Sequence, residues 1–209
     1  MKKQDKKLFY IGCDLGQSQD YTAITILERI QKFNHISFDY DEPFYHCRYL
    51  KRMKLNTSYP DIVKFVSGVY SELQKEASLQ KPLLIIDSTG CGRPVYDMFM
   101  QAGLNPKGIN IHGGVSVSRE KGFYNVPKRD LVGVLQMLFQ TGKLKVARDL
   151  PEAQTFIDEL LNFKVKININ TAHDSYEAWR EGIHDDLVLS VACAAWFAEK
   201  VSSSVEFLK

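Results

Sequence analysis

Aspartates stand at three places in this 209-residue chain where they could do more than face water. Asp14 closes the apolar run Phe9 to Cys13, and Asp87 closes the run Leu83 to Ile86. Asp185 and Asp186 sit side by side where an Ala-rich helical stretch begins. A carboxylate that ends a buried strand costs free energy unless an ion pair or a bound cation compensates it. Two such strand ends in one small sheet point to a metal site. Each acid also has a plainer reading. A strand-ending Asp is a common turn former. Asp185 and Asp186 would complement a helix dipole, with His184 or Asp185 as the cap.

These acids need elements to bring them together. Leu8 to Leu15 reads as a buried strand ending in the turn Gly16-Gln17-Ser18-Gln19-Asp20. Thr22 to Ile30 is rich in β-branched residues and reads as a second strand, and His35 to Tyr49 alternates, with interruptions, as a third. Short links between them predict an antiparallel meander. Tyr59-Pro60-Asp61 opens a helix to about Leu79, whose apolar residues Ile62, Val63, Val66, Val69, Tyr70 and Leu73 recur at helical spacing. Pro82 to Ile86 is the fully apolar run of a buried parallel strand. Beyond it the pattern predicts a helix over Arg93 to Ala102, a strand over Gly108 to His112 and a loop over Gly113 to Pro127. A helix over Lys128 to Gln140, a strand over Lys143 to Ala147 and a helix from Leu150-Pro151 to Leu161 follow. Phe163 to Ile169 alternates as an edge strand or hairpin. His184 to Lys200 makes the last helix, with Val188, Val191, Ala192, Ala195 and Trp196 on one side. Strands first, then alternating helices and strands, predict an α/β fold: a mixed sheet, antiparallel meander followed by parallel strands, flanked by helices. The reading is one domain with a core of about residues 8–200 and a loose tail over 201–209.

Composition fits an ordinary globular chain: 44% hydrophobic, 25% charged, 13 Gly and 7 Pro. A core of this size needs no disulfide or structural metal. No apolar run approaches the roughly 18 residues of a membrane span. The basic start, Met1 to Lys7, is followed by too short an apolar stretch for a signal sequence, so a cytoplasmic location is expected. Net charge is only +2, so a nucleic-acid surface would have to come from local segregation of charge. Cys13, Cys47, Cys91 and Cys193 form no CxxC pair and have no zinc-like spacing to histidine.

The motifs around the acids resemble a known family. Gly12-Cys13-Asp14-Leu15-Gly16, followed by Asp20-Tyr21-Thr22-Ala23-Ile24, resembles the opening strand-turn-strand of ribonuclease H-like nucleases. Asp87-Ser88-Thr89-Gly90-Cys91-Gly92 is similar to the D-x-T-G-x-G segment of the nuclease domain in phage terminase large subunits. His184-Asp185-Asp186-Leu187-Val188 resembles that family's last motif, and Val126 to Leu131 and Tyr176-Glu177-Ala178 are also similar. The likeness runs in order from about Phe9 to Lys200. It implies a ribonuclease H-like fold and metal-dependent cleavage of double-stranded DNA during genome packaging in the bacterial host cytoplasm. Asp14 would bridge two divalent cations, Mg2+ or Mn2+, with Asp87 on one and Asp185 or Asp186 on the other. Two such ions roughly 3.5–4 Å apart activate an attacking water and stabilise the leaving oxygen. Carboxylates are the donors these hard ions prefer.

Helical geometry sets Asp185 and Asp186 about 100° apart, so both cannot fully serve one ion. The choice between them stays open at this level. Asp20 reads either as a support from the turn or as an exposed turn acid. His184 would orient water or phosphate, or simply cap the helix. Thr89 and Gly90 would let the backbone approach closely after Asp87.

A basic group at Arg119, Lys121, Lys128 and Arg129 is placed to contact DNA phosphates without reading bases. Arg48, Lys51, Arg52 and Lys54 form a second group, and Lys164 and Lys166 a weaker one. The chain has no Gly-x-x-x-x-Gly-Lys-[Ser/Thr] loop, so it carries no P-loop motor. As an excised domain it would work with a terminase ATPase motor domain, a small subunit and a portal. Two rival readings keep the same acids: a catalytically silent DNA-binding domain of a packaging complex, and a resolvase-type nuclease on branched DNA. An actin-like or sugar-kinase-like ATPase also opens on strand-Asp-x-Gly, but it needs two such lobes.

Overall fold

The computed structural model describes residues 4–16, 20–76, 80–165 and 184–201. The chain begins with β1 (Lys6–Asp14), β2 (Ala23–Gln31), β3 (Phe33–Asn34), β4 (Asp39–Tyr40) and β5 (Phe44–Arg52). It continues through α1 (Tyr59–Glu76), β6 (Leu83–Asp87), α2 (Gly92–Gln101) and β7 (Lys107–His112). Then come β8 (Ser118–Glu120), β9 (Phe123–Pro127), α3 (Lys128–Gln140), β10 (Leu144–Val146) and α4 (Ala153–Val165). The last described helix is α5 (Asp186–Trp196), which widens into a π-helical turn over Phe197–Val201.

Eight strands form one mixed sheet in the order β10-β5-β2-β1-β6-β7-β9-β8. The antiparallel meander β1-β2-β5 occupies one half, and β6, β7 and β9 run parallel to β1 in the other. Alternation along the strands splits the core in two. Ile11 and Cys13 of β1, with Leu84 and Ile86 of β6, pack among residues of α1 and α2. Tyr10, Ile85, Ile109 and Val126 point to the opposite face and pack among residues of α3, α4 and α5. Full burial of each such side chain is worth roughly 1.5–3 kcal/mol, so the sheet is held from both sides.

One glycine decides how closely α5 can sit on that second face. A Cβ on Gly12 would lie 2.0 Å from the Ser190 carbonyl oxygen and 2.9 Å from Thr25 Cγ2. Only a residue without a side chain lets helix backbone approach the central strand there. Asp14 lies two residues further along β1 and therefore faces the same helix.

Three expectations needed correction. The predicted third strand, His35 to Tyr49, contains a turn. Asn34 Oδ1 accepts hydrogen bonds from the backbone N–H of Ile36 (2.9 Å) and Ser37 (3.2 Å). That Asn-centred turn competes with the strand ladder. It leaves a short β3–β4 hairpin, and β5 starts at Phe44. The predicted loop Gly113 to Pro127 holds the hairpin β8–β9, which turns at Lys121 (φ 50°) and Gly122 (φ 90°). Two positive φ values suit a tight hairpin, but Lys-Gly is a weaker signal than Asn-Gly. Phe163 belongs to α4 instead of a strand. Lys164 and Val165 likewise end α4, whereas residues 166–169 of that predicted hairpin, Tyr176-Glu177-Ala178 and residues 202–209 of the tail lie outside the described residues.

Candidate active site

Asp14 and Asp87 are direct partners in the parallel register of β1 and β6. Each ends its strand at the same end of the sheet, two residues beyond Gly12 and Ile85, and so on the face that carries α5. Past Asp87 the chain turns sharply, with Gly90 at φ 83°. The turn is tied down on both sides. Asp87 Oδ1 accepts a hydrogen bond from the Thr89 N–H (2.8 Å), and Thr89 Oγ1 accepts one from the Ile111 N–H (2.7 Å). Ser88 Oγ donates to the Ile109 carbonyl (3.0 Å) and to Asn110 Oδ1 (2.8 Å).

The two carboxyls are electrostatically uncomfortable. Burial, then the neighbouring Asp87, Asp186 and Asp185, push the Asp14 pKa well above the usual carboxylate range, with Lys128 opposing. Among the described residues the half-buried Asp14 carboxyl makes no hydrogen bond or ion pair. Burial pushes Asp87 up to about 6, against the Thr89 hydrogen bonds and Lys128. Perturbed acids gathered in one place make a candidate functional site, although structural ion-pair networks shift pKa values as well.

The first turn of α5 supplies the remaining acids, and the two differ. Asp185 occupies the N-cap position but makes no side-chain cap. Its Oδ2 accepts a hydrogen bond from Lys128 Nζ at 3.1 Å. Burial lowers the pKa of Lys128 while Asp185 works to restore it, and the ammonium lies 5.2 Å from the Phe163 ring centroid. Asp186 is only 6% exposed. Burial and then Glu159 push it up to about 7, with Arg52 opposing. Its Oδ2 lies 3.7 Å from Arg52 Nη2 and 3.6 Å from His184 Nδ1, and accepts no hydrogen bond among the described residues.

Glu159 of α4 caps α5 in place of the expected His184 or Asp185. Its Oε2 accepts a hydrogen bond from the Val188 N–H at 3.1 Å, while Oε1 is ion-paired with Arg52. Burial pushes Glu159 up to about 7 despite these partners. The Arg52 guanidinium stacks 4.8 Å from the Tyr21 ring centroid, and Tyr21 meets His184 edge-on at 5.0 Å.

The fold thus brings Asp14, Asp87, Asp185 and Asp186 to one end of the sheet. Thr89 and Gly90 shape the turn beneath Asp87. Asp20 and His184 are exposed, with Asp20 near enough to raise the pKa of Asp186. The basic group divides. Arg119, Lys121 and Arg129 are exposed on β8, its turn and the start of α3. Arg119 stacks over Tyr124 (5.1 Å), Lys121 pairs with Glu120 (3.5 Å), and Arg129 donates to the Val115 carbonyl (2.6 Å). Lys128 instead turns inward to the acids, its side chain 18% exposed. Arg52 likewise leaves the second basic group for the interior. Glu159 escaped the sequence reading altogether. Its signal was an acid on the apolar stripe of a helix, three residues after Phe156 and four before Phe163.

An all-oxygen donor set, with one buried oxygen on Asp186 and the Asp14 carboxyl without a hydrogen-bond partner among the described residues, fits a hard divalent cation. Among the described residues, no three acidic, His or Cys side chains are drawn together tightly enough to hold an ion as they stand.

No protein-family model matches this sequence, and no curated protein matches it. Solved structures do match. The large terminase nuclease of thermophilic phage G20c superposes with a TM-score of 0.55 and 18% identity, over 95% of this chain and 90% of that one. The human cytomegalovirus terminase nuclease domain, in an Mn-soaked structure, gives a TM-score of 0.48 and 15% identity over 94% and 85%. RuvC of Thermus thermophilus gives 0.38 and 8% over 91% and 93%. The chain therefore has the ribonuclease H-like fold, in the form seen in the large terminase nuclease of phage G20c. Among the described residues no helix is long and apolar enough to cross a membrane.

Proposed function

We propose that this chain is a metal-dependent endonuclease that cleaves double-stranded DNA, acting as the nuclease of a phage packaging machine. The observation that carries the reading is the register pair Asp14 and Asp87, set side by side on parallel strands and facing the acidic first turn of α5. The fold shared with a large terminase nuclease supports it.

In this reading Asp14, Asp87 and Asp186 hold two divalent cations, Mg2+ or Mn2+. When bound, such ions activate water and neutralise charge on the leaving oxygen. Asp186 is preferred over Asp185 because its buried Oδ2 lacks a donor among the described residues, whereas Asp185 is already bonded to Lys128. Lys128 and Arg52 keep the acid cluster from being wholly uncompensated, and the ring of Tyr21 keeps Arg52 oriented. Asp20 and His184 stand at the rim, where His184 would orient a water or a phosphate oxygen. Arg119, Lys121 and Arg129 would bind phosphates along the duplex without base selection. Where the chain is part of a larger terminase, its partners are an ATPase motor domain, a small subunit and a portal. Its place of action is then the cytoplasm of the bacterial host.

The test is nicking of supercoiled plasmid. Cleavage should require Mg2+ or Mn2+ and disappear in a folded Asp14→Asn variant. Folded protein that stays inert across metals and concentrations, yet binds DNA, would leave only a silent binding domain.

A further inference from the structure

At the base of the site, one guanidinium lies within reach of two acids. Arg52 Nη2 is hydrogen-bonded to Glu159 Oε1 and stands 3.7 Å from Asp186 Oδ2, too far for a hydrogen bond. Arg52 Nε and Asp186 Oδ2 are both buried, and both lack a hydrogen-bond partner among the described residues. A small turn of the guanidinium would satisfy the two together, because the planar fork suits a carboxylate bound at both oxygens. Glu159 stands against that turn. Its side chain is 4% exposed, and its second oxygen is anchored by the Val188 N–H in the first turn of α5. The carboxylate is therefore held in orientation as well as in place.

We propose that Glu159 and Arg52 are positioning residues. Glu159 holds the Arg52 guanidinium back from Asp186 and so keeps Asp186 Oδ2 open as a ligand for a divalent cation. Without Glu159, Arg52 settles on Asp186 as an internal cation and competes with the metal. The inference rests on the metal-dependent reading above and adds a residue pair to it. A charge-assisted hydrogen bond from Arg52 to Asp186 should weaken metal binding by about tenfold or more.

The test measures Mn2+ uptake from the electron paramagnetic resonance of the free ion, independently of cleavage. Glu159→Gln keeps an acceptor for the Val188 N–H but loses its charge, and it should bind Mn2+ at least about tenfold more weakly. Adding Arg52→Gln removes the competitor and should return affinity to within about threefold of the unaltered protein. Unchanged affinity in Glu159→Gln overturns the proposal, as does a double variant no tighter than Glu159→Gln. Should Glu159→Gln not fold, the double variant decides: near-original affinity supports the proposal and a tenfold loss sinks it. Asp14→Asn is the control for the parent reading. If the unaltered protein takes up no Mn2+ that this substitution weakens, the metal site and the proposal fall together. If it does, only the Glu159 variants bear on the proposal.

Discussion

Two groups of carboxylate on the one sheet are treated differently: Glu28 within β2, and Asp14 and Asp87 at the C-terminal ends of β1 and β6. Glu28, in the middle of β2, is 3% exposed and lies beside two cations and a histidine. Arg48 reaches it with Nη2 at 2.5 Å and Nε at 2.6 Å, Lys7 approaches to 3.4 Å, and His46 Nδ1 to 3.9 Å. Lys7 and Arg48 are half-exposed, so their charges stay partly hydrated while their stems cover the acid. Asp14 and Asp87, at the C-terminal ends of β1 and β6, have no ion-paired cation among the described residues. Lys128 is bonded to Asp185, and Arg52 to Glu159. Asp14, Asp87 and Asp186 are left with raised pKa values, as is Glu159 despite its partners. A structural acid is neutralised by the chain itself. In the proposed reading, acids that the chain buries and leaves short of cations are the ligands of a divalent cation.

The contrast can be broken most sharply at Asp14. Asp14→Asn should cut plasmid nicking by about 10³-fold or more, since metal-ion stabilisation is worth several kcal/mol. In metal-free buffer at pH 8 the same variant should melt higher than the parent, because one of several repelling charges is gone. A lower melting temperature there would show that Asp14 is structural.

The pH dependence of metal stabilisation comes next. Carboxyls with folded-state pKa values near 6 for Asp87 and 7 for Asp186 bind protons more tightly folded than unfolded. Their protonated forms favour the fold at low pH, and that advantage disappears as pH rises from about 4 through 7. Without metal, stability should fall over this window. Mn2+ at about a hundred times its dissociation constant should add about 2.7 kcal/mol at pH 8, and far less at pH 5, where protons compete. Equal shifts in melting temperature at the two pH values would contradict the assignment.

Substitution at Glu28 should affect stability and leave the metal site alone. Glu28→Gln is expected to cost roughly 1–2 kcal/mol in urea unfolding. Metal uptake and nicking should be unchanged in the fraction that remains folded. Loss of Mn2+ binding in this variant would erase the distinction between the two clusters.

The smallest effects belong to the exposed cations, which have no buried acid to serve. Arg119→Ala and Arg129→Ala should each weaken DNA binding a few-fold, uniformly across sequences. Each should also lower the slope of log affinity against log salt by about one. A sequence-selective loss would mean that these side chains read bases.

Local pattern carried much of the architecture. Apolar runs ending in Asp14 and Asp87 announced two strand ends, and helical spacing announced α1, α3 and α5, because periodicity registers which face meets a core. The hairpin β8–β9 was harder to read, since its positive-φ turn is built from Lys-Gly. The two consecutive acids of α5 could not be ranked from sequence, because one helical step decides which is buried.

What the amino-acid order determined on its own was therefore the inventory: acids at strand ends, a glycine two residues before Asp14, and an acidic start to an apolar helix. What only the folded chain decided was the pairing. Lys128 finds Asp185 across 57 residues, and Arg52 finds Glu159 across 107. Hydrophobic periodicity is written within a few turns of chain. Charge compensation is settled by whichever partners the packed sheet and helices bring within reach, and that depends on the whole topology.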